Sequence, residues 1–171
     1  GHKKQDSFWQ AFEEAVRKEG AEIKIIDSPE IWTIASSTIE FLSPDKNLAL
    51  KVNADDSNNY SIVFRLTNNN KSFLFTADME MPLENALLDK YCLDSFALNC
   101  PLLQVEVLKV GHHGSDTSSG EDFLKAIKAK DAVISVGAQN KYGHPSMRVL
   151  RKLERAGMNV VRTDLMGNIY Y

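Results

Sequence analysis

Two adjacent imidazoles, His112 and His113, stand in Gly111-His112-His113-Gly114-Ser115, directly after the apolar run Val105-Glu106-Val107-Leu108-Lys109-Val110. A strand that delivers two imidazoles into a Gly/Ser loop reads as a metal or phosphate site at a sheet edge. His144 follows another apolar run in the same way, and Asp78 comes just after Ser72-Phe73-Leu74-Phe75-Thr76. An Asp and two or more His carried by separate strand ends suit Zn, Mn or Fe in a mixed nitrogen and oxygen shell. Two such ions about 3.5–4 Å apart activate a water and stabilise the departing oxygen of a phosphodiester or ester. Successive side chains diverge, so one of His112 and His113 is the expected ligand. The other is a hydrogen-bonded partner or proton donor. The loop Ser115-Asp116-Thr117-Ser118-Ser119-Gly120 leads into a helix, where Ser118 with Glu121, or Ser119 with Asp122, fits a capping box. A helix start with free N–H groups also welcomes anions. Each residue has a plainer role on its own: Asp78 as a turn cap, His144 as a loop histidine bonded to backbone, the serines as caps. Only the joint constellation points to chemistry.

The elements that must position these groups follow from periodicity. Asp6-Ser7 caps a helix with apolar face Phe8, Trp9, Phe12, Ala15 and Val16, stopped by Gly20, and the aromatics on it are expected in the core. Residues 21–27, 31–34 and 38–42 read as strands, and 45–59 as a polar loop. Residues 60–67 and 71–76 form a hairpin across Asn68-Asn69-Asn70. Pro82 opens a helix to about Phe96. Strands 102–110, 132–136 and 159–162 then alternate with helices 121–129 and 146–156, and 167–171 reads as a closing strand. Hairpins followed by βα alternation imply an α/β sandwich with helices packed on sheet. In such sheets, sites form outside the carboxyl ends of strands.

The 171 residues suffice for one domain with a proper core. Hydrophobic residues at 43% and charged residues at 25% describe an ordinary globular chain. A formal charge of -3 provides no overall basic field, so nucleic-acid binding has to rest on a local patch or on metal ions. No apolar stretch reaches the roughly 20 residues of a membrane helix. Gly1-His2 before Lys3-Lys4 reads as a tag remnant, with residues 1–5 a disordered start and His2 discounted as a ligand. Cys92 and Cys100, without CxxC spacing, are expected as two partly buried free thiols.

Several blocks together resemble the metallo-β-lactamase superfamily. They are Asn58-Asn59-Tyr60-Ser61-Ile62-Val63, Phe73-Leu74-Phe75-Thr76-Ala77-Asp78, Lys109-Val110-Gly111-His112-His113-Gly114-Ser115, Asn140-Lys141-Tyr142-Gly143-His144-Pro145 and Arg162-Thr163-Asp164. The likeness runs from about residue 7 to the end and is nearest to the branch at the end of ComEC-type DNA-uptake channels of competent bacteria. It implies an αββα sandwich and hydrolysis of esters, amides or phosphodiesters with one or two divalent metals, Zn or Mn. It makes Asp78 a bridging carboxylate. His112 or His113, together with His144, become metal-site or proton-transfer residues. The resulting candidates are His113, His144 and Ser115 for catalysis and Asp78, His112 and His144 for metal. Ser61 falls where many relatives carry another histidine, and Ala77 stands where this branch usually has Gly.

The superfamily's His-x-His-x-Asp-His signature does not occur in the sequence. Residues 6–171 are therefore expected to form the C-terminal portion of the domain, starting just after that signature and inactive alone. Such a portion would show weakened metal binding and exposed apolar surface that favours self-association or a separately supplied N-terminal half. The first functional expectation is the C-terminal part of a metal-dependent phosphodiesterase, nuclease-like and linked to DNA uptake. A second keeps the metal and takes a small ester, lactone or amide. A third is a non-catalytic interaction module that kept the fold. A basic groove near Lys109, Lys125, Lys128, Lys130 and Lys141 would favour DNA, and an apolar pocket the small molecule. If the parent is the channel protein, the domain lies outside the cytoplasmic membrane. A stand-alone relative would be cytoplasmic or secreted.

Overall fold

A computed structural model describes residues 7–49, 52, 56–94 and 98–171 of the chain. Its framework is one seven-stranded sheet whose strands follow sequence order, β1-β2-β3-β4-β5-β6-β7. The first four are an antiparallel meander: β1 (Ile31–Ile34), β2 (Ser37–Ser43), β3 (Val63–Asn68) and β4 (Lys71–Phe75). Asn68 pairs with Lys71, so the β3–β4 turn is the two residues Asn69-Asn70, with Asn69 at φ +51°. Asparagine tolerates that left-handed backbone, which tight hairpin turns require.

From β4 onward the sheet is parallel, through β5 (Val107–Lys109), β6 (Asp131–Ile134) and β7 (Asn159–Arg162). The crossovers are the helices α3 (Met81–Tyr91), α4 (Glu121–Ile127) and α5 (Met147–Arg155). Because the strand order advances in one direction, right-handed crossovers put all three helices on the same face. Alternation along the strands selects what meets them. Leu74, Leu108, Ala132 and Ile134 are buried against Leu83, Leu87, Phe123, Leu124, Ile127, Val149 and Leu153. The opposite parity, Phe73, Phe75, Val107, Lys109 and Val133, lines a groove of about 200 Å³ with Ile169 and Tyr171. Ring contacts run across the strands there, from Trp32 to Phe41, Phe64, Phe75, Phe73 and Tyr171.

Several expectations need correction. Helix α1 (Ser7–Glu19) forms, but it buries no residue, and Phe8 and Phe12 are 85% and 49% exposed. Its apolar stripe is real, yet only Trp9 and Val16 of it are half-buried; its proposed cap Asp6 lies outside the described residues. Residues 21–27 alternate in polarity but join no ladder, with Ile25 exposed and only Ile26 buried. The 45–59 segment contains a short helix, α2 (Lys46–Ala49), and a 3-10 turn (Ser57–Tyr60). Helix α3 stops at Tyr91, short of Phe96, which lies outside the described residues. Cys92 and Cys100 are disulfide-bonded rather than free thiols. The reason is local: Leu93 donates to the Asn99 carbonyl and Asn99 to the Asp94 carbonyl, which folds the chain back on itself. Leu103 and Gln104 then turn on the Cys100 carbonyl, leaving β5 only three residues. Residues 167–171 are not a strand. After a short helix, α6 (Thr163–Met166), the chain crosses the open sheet face, and Tyr171 packs edge-on against Phe73.

Candidate active site

Strands β4, β5 and β6 are parallel neighbours, so their carboxyl ends share one edge of the sheet. Asp78 follows β4 by three residues, His112 and His113 lie in the turn Gly111–Gly114 after β5, and His144 lies in the loop after β6. Ala77, His112 and His113 all adopt left-handed backbone, at φ +46°, +46° and +53°. Each such residue costs of the order of 1–3 kcal/mol and persists only where neighbours fix it. Here the Ala77 carbonyl accepts from the His112 N–H (3.0 Å) and from Lys109 Nζ (3.1 Å), and Ser115 N–H donates to the His112 carbonyl (2.8 Å). Gly114 is at φ +82°, and a Cβ there would stand 2.6 Å from Pro145 Cβ. Only glycine lets the two loops close on each other at this point.

The two imidazoles diverge. His113 Nδ1 lies 2.6 Å from the Ser135 carbonyl, which can only accept, so Nδ1 carries the hydrogen. Its Nε2 faces Asp78 Oδ1 at 3.3 Å. A bare nitrogen lone pair and a carboxylate repel at that distance, so a proton or a cation belongs between them. His112 turns the other way, with Nδ1 3.1 Å from Glu80 Oε1 and its ring 5.7 Å from that of His144. Both backbone ends of His144 are tied to Asn140, its N–H to Oδ1 (3.0 Å) and its carbonyl from Nδ2 (2.8 Å). Burial, reinforced by charge on His112 and His113, holds the His144 pKa below the usual histidine value. Tyr142 stacks on His144 with centroids 5.9 Å apart and is itself 83% exposed. Together His113, Val136, Gly137, Asn140, Tyr142 and His144 line a cavity of about 190 Å³. Thr163 pins the start of that loop, its hydroxyl bonded to both the N–H and the carbonyl of Val136 at 2.8 Å.

The expected metal set is not brought together as one shell. Asp78 meets His113 rather than His112, while His112 and His144 face each other. Among the described residues no three His, Cys, Asp or Glu converge on one point. The donors have the right chemistry for a borderline divalent cation. Two of them do not close a shell of four to six ligands, so these residues do not fit a metal by themselves. Ser115 is buried, and its hydroxyl pairs with Thr117 Oγ1 (3.0 Å) instead of an imidazole.

The serine loop caps nothing in the expected way. The cap of α4 is Gly120, without a side-chain bond. Ser118 Oγ donates within the loop, to the Gly111 or Ser115 carbonyl. The free N–H groups of Ser119 and Gly120 bind the buried Glu84 carboxylate at 2.6 and 2.7 Å, so the anion at this helix start is internal. Burial pushes Glu84 up to about 7, against the pull of those two N–H groups and of Lys152. Glu84 and Glu80 escaped the sequence reading. Glu84 lies three and four residues before buried Leu87 and Leu88, on the apolar stripe of α3. Glu80 follows Asp78 by two, a second carboxylate just ahead of Pro82.

Nor do the five lysines form one groove. Lys109 ends β5, and burial lowers its pKa beside Asp78. Lys130 precedes β6, at the opposite end of the sheet, and Lys125 pairs with Asp122 at 3.4 Å.

Residues 53–138 match the metallo-beta-lactamase superfamily. The chain is 33% identical over 158 residues to ComE operon protein 3 of Bacillus subtilis, covering 92% of this chain and 19% of that protein. It is 34% identical over 140 residues to competence protein ComA of Neisseria gonorrhoeae, covering 82% and 18%. To recombination protein 2 of Haemophilus influenzae it is 32% identical over 112 residues, covering 66% and 13%. The chain thus spans under a fifth of the length of these curated relatives. The seven-stranded α/β sheet, the site at its carboxyl edge and the matched residues agree: the chain belongs to the metallo-beta-lactamase superfamily.

Proposed function

We propose that this chain carries the Asp78, His113 and His144 edge of a phosphodiesterase that acts on single-stranded DNA in a competence system. The observation that supports it is the cavity at the sheet edge, with His113 and His144 in its wall and the exposed Tyr142 ring beside them. An exposed aromatic ring next to proton-transfer groups offers a stacking platform for a nucleobase. His144, kept neutral by its surroundings, accepts the proton of an attacking water. Asp78 and His113 would be the two donors nearest each other for a Zn or Mn ion, which they do not hold by themselves. The competence names of the relatives supply the DNA context. Among the described residues no helix is long and apolar enough to cross a membrane.

The apolar groove of Phe73, Phe75, Val107, Val133, Ile169 and Tyr171 favours a second reading, hydrolysis of a small ester or lactone. Its Lys109 end adjoins Asp78. Both readings are tested by incubating the chain with Mn²⁺ or Zn²⁺ and offering single-stranded DNA, a simple aryl phosphodiester and an aryl ester. Cleavage of DNA that is lost in Asp78→Ala and His144→Ala supports the first. Tyr142→Ala should then raise KM for DNA about 5–150-fold, at roughly 1–3 kcal/mol per stacked base, and leave the aryl phosphodiester unaffected. Ester cleavage alone supports the second. Binding of DNA without any cleavage, unchanged by Asp78→Ala, would point to a non-catalytic module.

A further inference from the structure

We infer that Glu80 is a positioning residue that fixes His112 in the Nδ1–H tautomer and leaves its Nε2 bare. The inference rests on the hydrolase reading for its purpose, but its geometry stands apart from it.

Glu80 occupies the N-cap of α3 and makes no capping bond there. A side chain in that place ordinarily accepts from its own helix, which contributes about 1 kcal/mol. This one reaches outward instead. Its Oε1 accepts from Asn58 Nδ2 at 3.2 Å and Thr117 Oγ1 at 3.0 Å, and lies 3.1 Å from His112 Nδ1. Those three partners come from separate segments: the 3-10 turn before β3, the loop before α4 and the turn after β5. Glu80 is therefore the joint at which they meet.

An ionised carboxylate only accepts, so His112 Nδ1 must carry a hydrogen. Thr117 Oγ1 lies 3.4 Å from that nitrogen and itself donates to Glu80, which leaves it free to accept from an Nδ1–H. A free histidine side chain favours the opposite, Nε2–H form. The Glu80 carboxylate 3.1 Å from Nδ1 reverses that preference by attracting the hydrogen to that nitrogen, as a carboxylate behind a working imidazole does. His113 reaches the same tautomer by a different route, through the Ser135 carbonyl. The two neighbouring imidazoles are thereby both held with hydrogen at Nδ1, and the His113 Nε2 is directed to Asp78.

The test is a long-range proton–nitrogen correlation spectrum of the chain labelled in its histidine rings. It is recorded at pH about 8.5 without metal or substrate, with His112 assigned by its loss in His112→Gln. The unaltered chain should show His112 protonated at Nδ1. In Glu80→Ala the signal should move to the Nε2–H form. In Glu80→Gln, whose amide oxygen still accepts, it should return to Nδ1–H. An Nε2–H signal in the unaltered chain, or no change in Glu80→Ala, overturns the inference. If Glu80→Ala fails to fold, the unaltered chain and Glu80→Gln decide it. Where DNA cleavage is measurable, Glu80→Ala should lower kcat roughly 10–100-fold with KM unchanged. A chain that cleaves nothing leaves the tautomer result intact, because that result is read without metal or substrate.

Discussion

Ala77 holds the carboxylate of Asp78 at the cost of its own backbone. At φ +46° a Cβ crowds the chain, and the bonds from His112 N–H and Lys109 Nζ help to keep it there. Ala77→Gly relieves that strain and should stabilise the fold by about 1 kcal/mol in urea unfolding, with the site unchanged. The same residue shows what a sequence reveals at this scale. Asp78, His112, His113 and His144 stood out because each follows an apolar run. Their partners did not, because pairing His113 with Asp78 and His112 with Glu80 depends on two consecutive left-handed residues. Nothing in the spelling of Gly-His-His-Gly announces that backbone. Glu84 was hidden for another reason: a carboxylate inside a helix reads as solvated until its two N–H partners, 35 and 36 residues away, are placed.

At the level of elements, Glu84 joins α3 to the start of α4, and that joint is sensitive to pH. Its folded pKa of about 7 lies above the ordinary 4.5, so the folded state holds its proton where the unfolded chain has released it. The stability this group contributes is therefore complete below pH about 4.5 and is lost as pH rises through about 7. Between pH 5 and 8 the loss should amount to about 2–3 kcal/mol. Glu84→Gln removes that slope, and urea midpoints for the two proteins across the range should diverge accordingly. An identical slope in both would dismiss the mechanism. Helix α1 behaves oppositely. Its periodicity was legible and its burial was not, since amphipathicity says that a face exists and not what meets it. With Phe8 and Phe12 exposed, changing both to Ser should alter stability by no more than about 0.5 kcal/mol. A loss of several kcal/mol would mean that the stripe is covered in solution. The terminal segment 167–171 was misread for a related reason, because an aromatic tail lying across a sheet has the same composition as one more strand.

For the molecule as a whole, strand and helix order from β3 to β7 could be read directly, because short apolar runs and amphipathic helices alternate there without interruption. The meander before it was blurred by residues 21–27, which have strand chemistry but pair with no strand among the described residues. The sheet is dressed with helices on one face, and on the other carries an aromatic row with Ile169 and Tyr171 laid over its groove. The Cys92–Cys100 bond adds a different kind of information. It closes the loop behind α3 and seats Cys100 in the core, fully removed from solvent. Thiols join in this way and stay joined where no glutathione or thioredoxin pool reduces them. The folded molecule therefore records the redox state of the compartment in which it matured, and the mass difference of two hydrogens across that bond reads the record out.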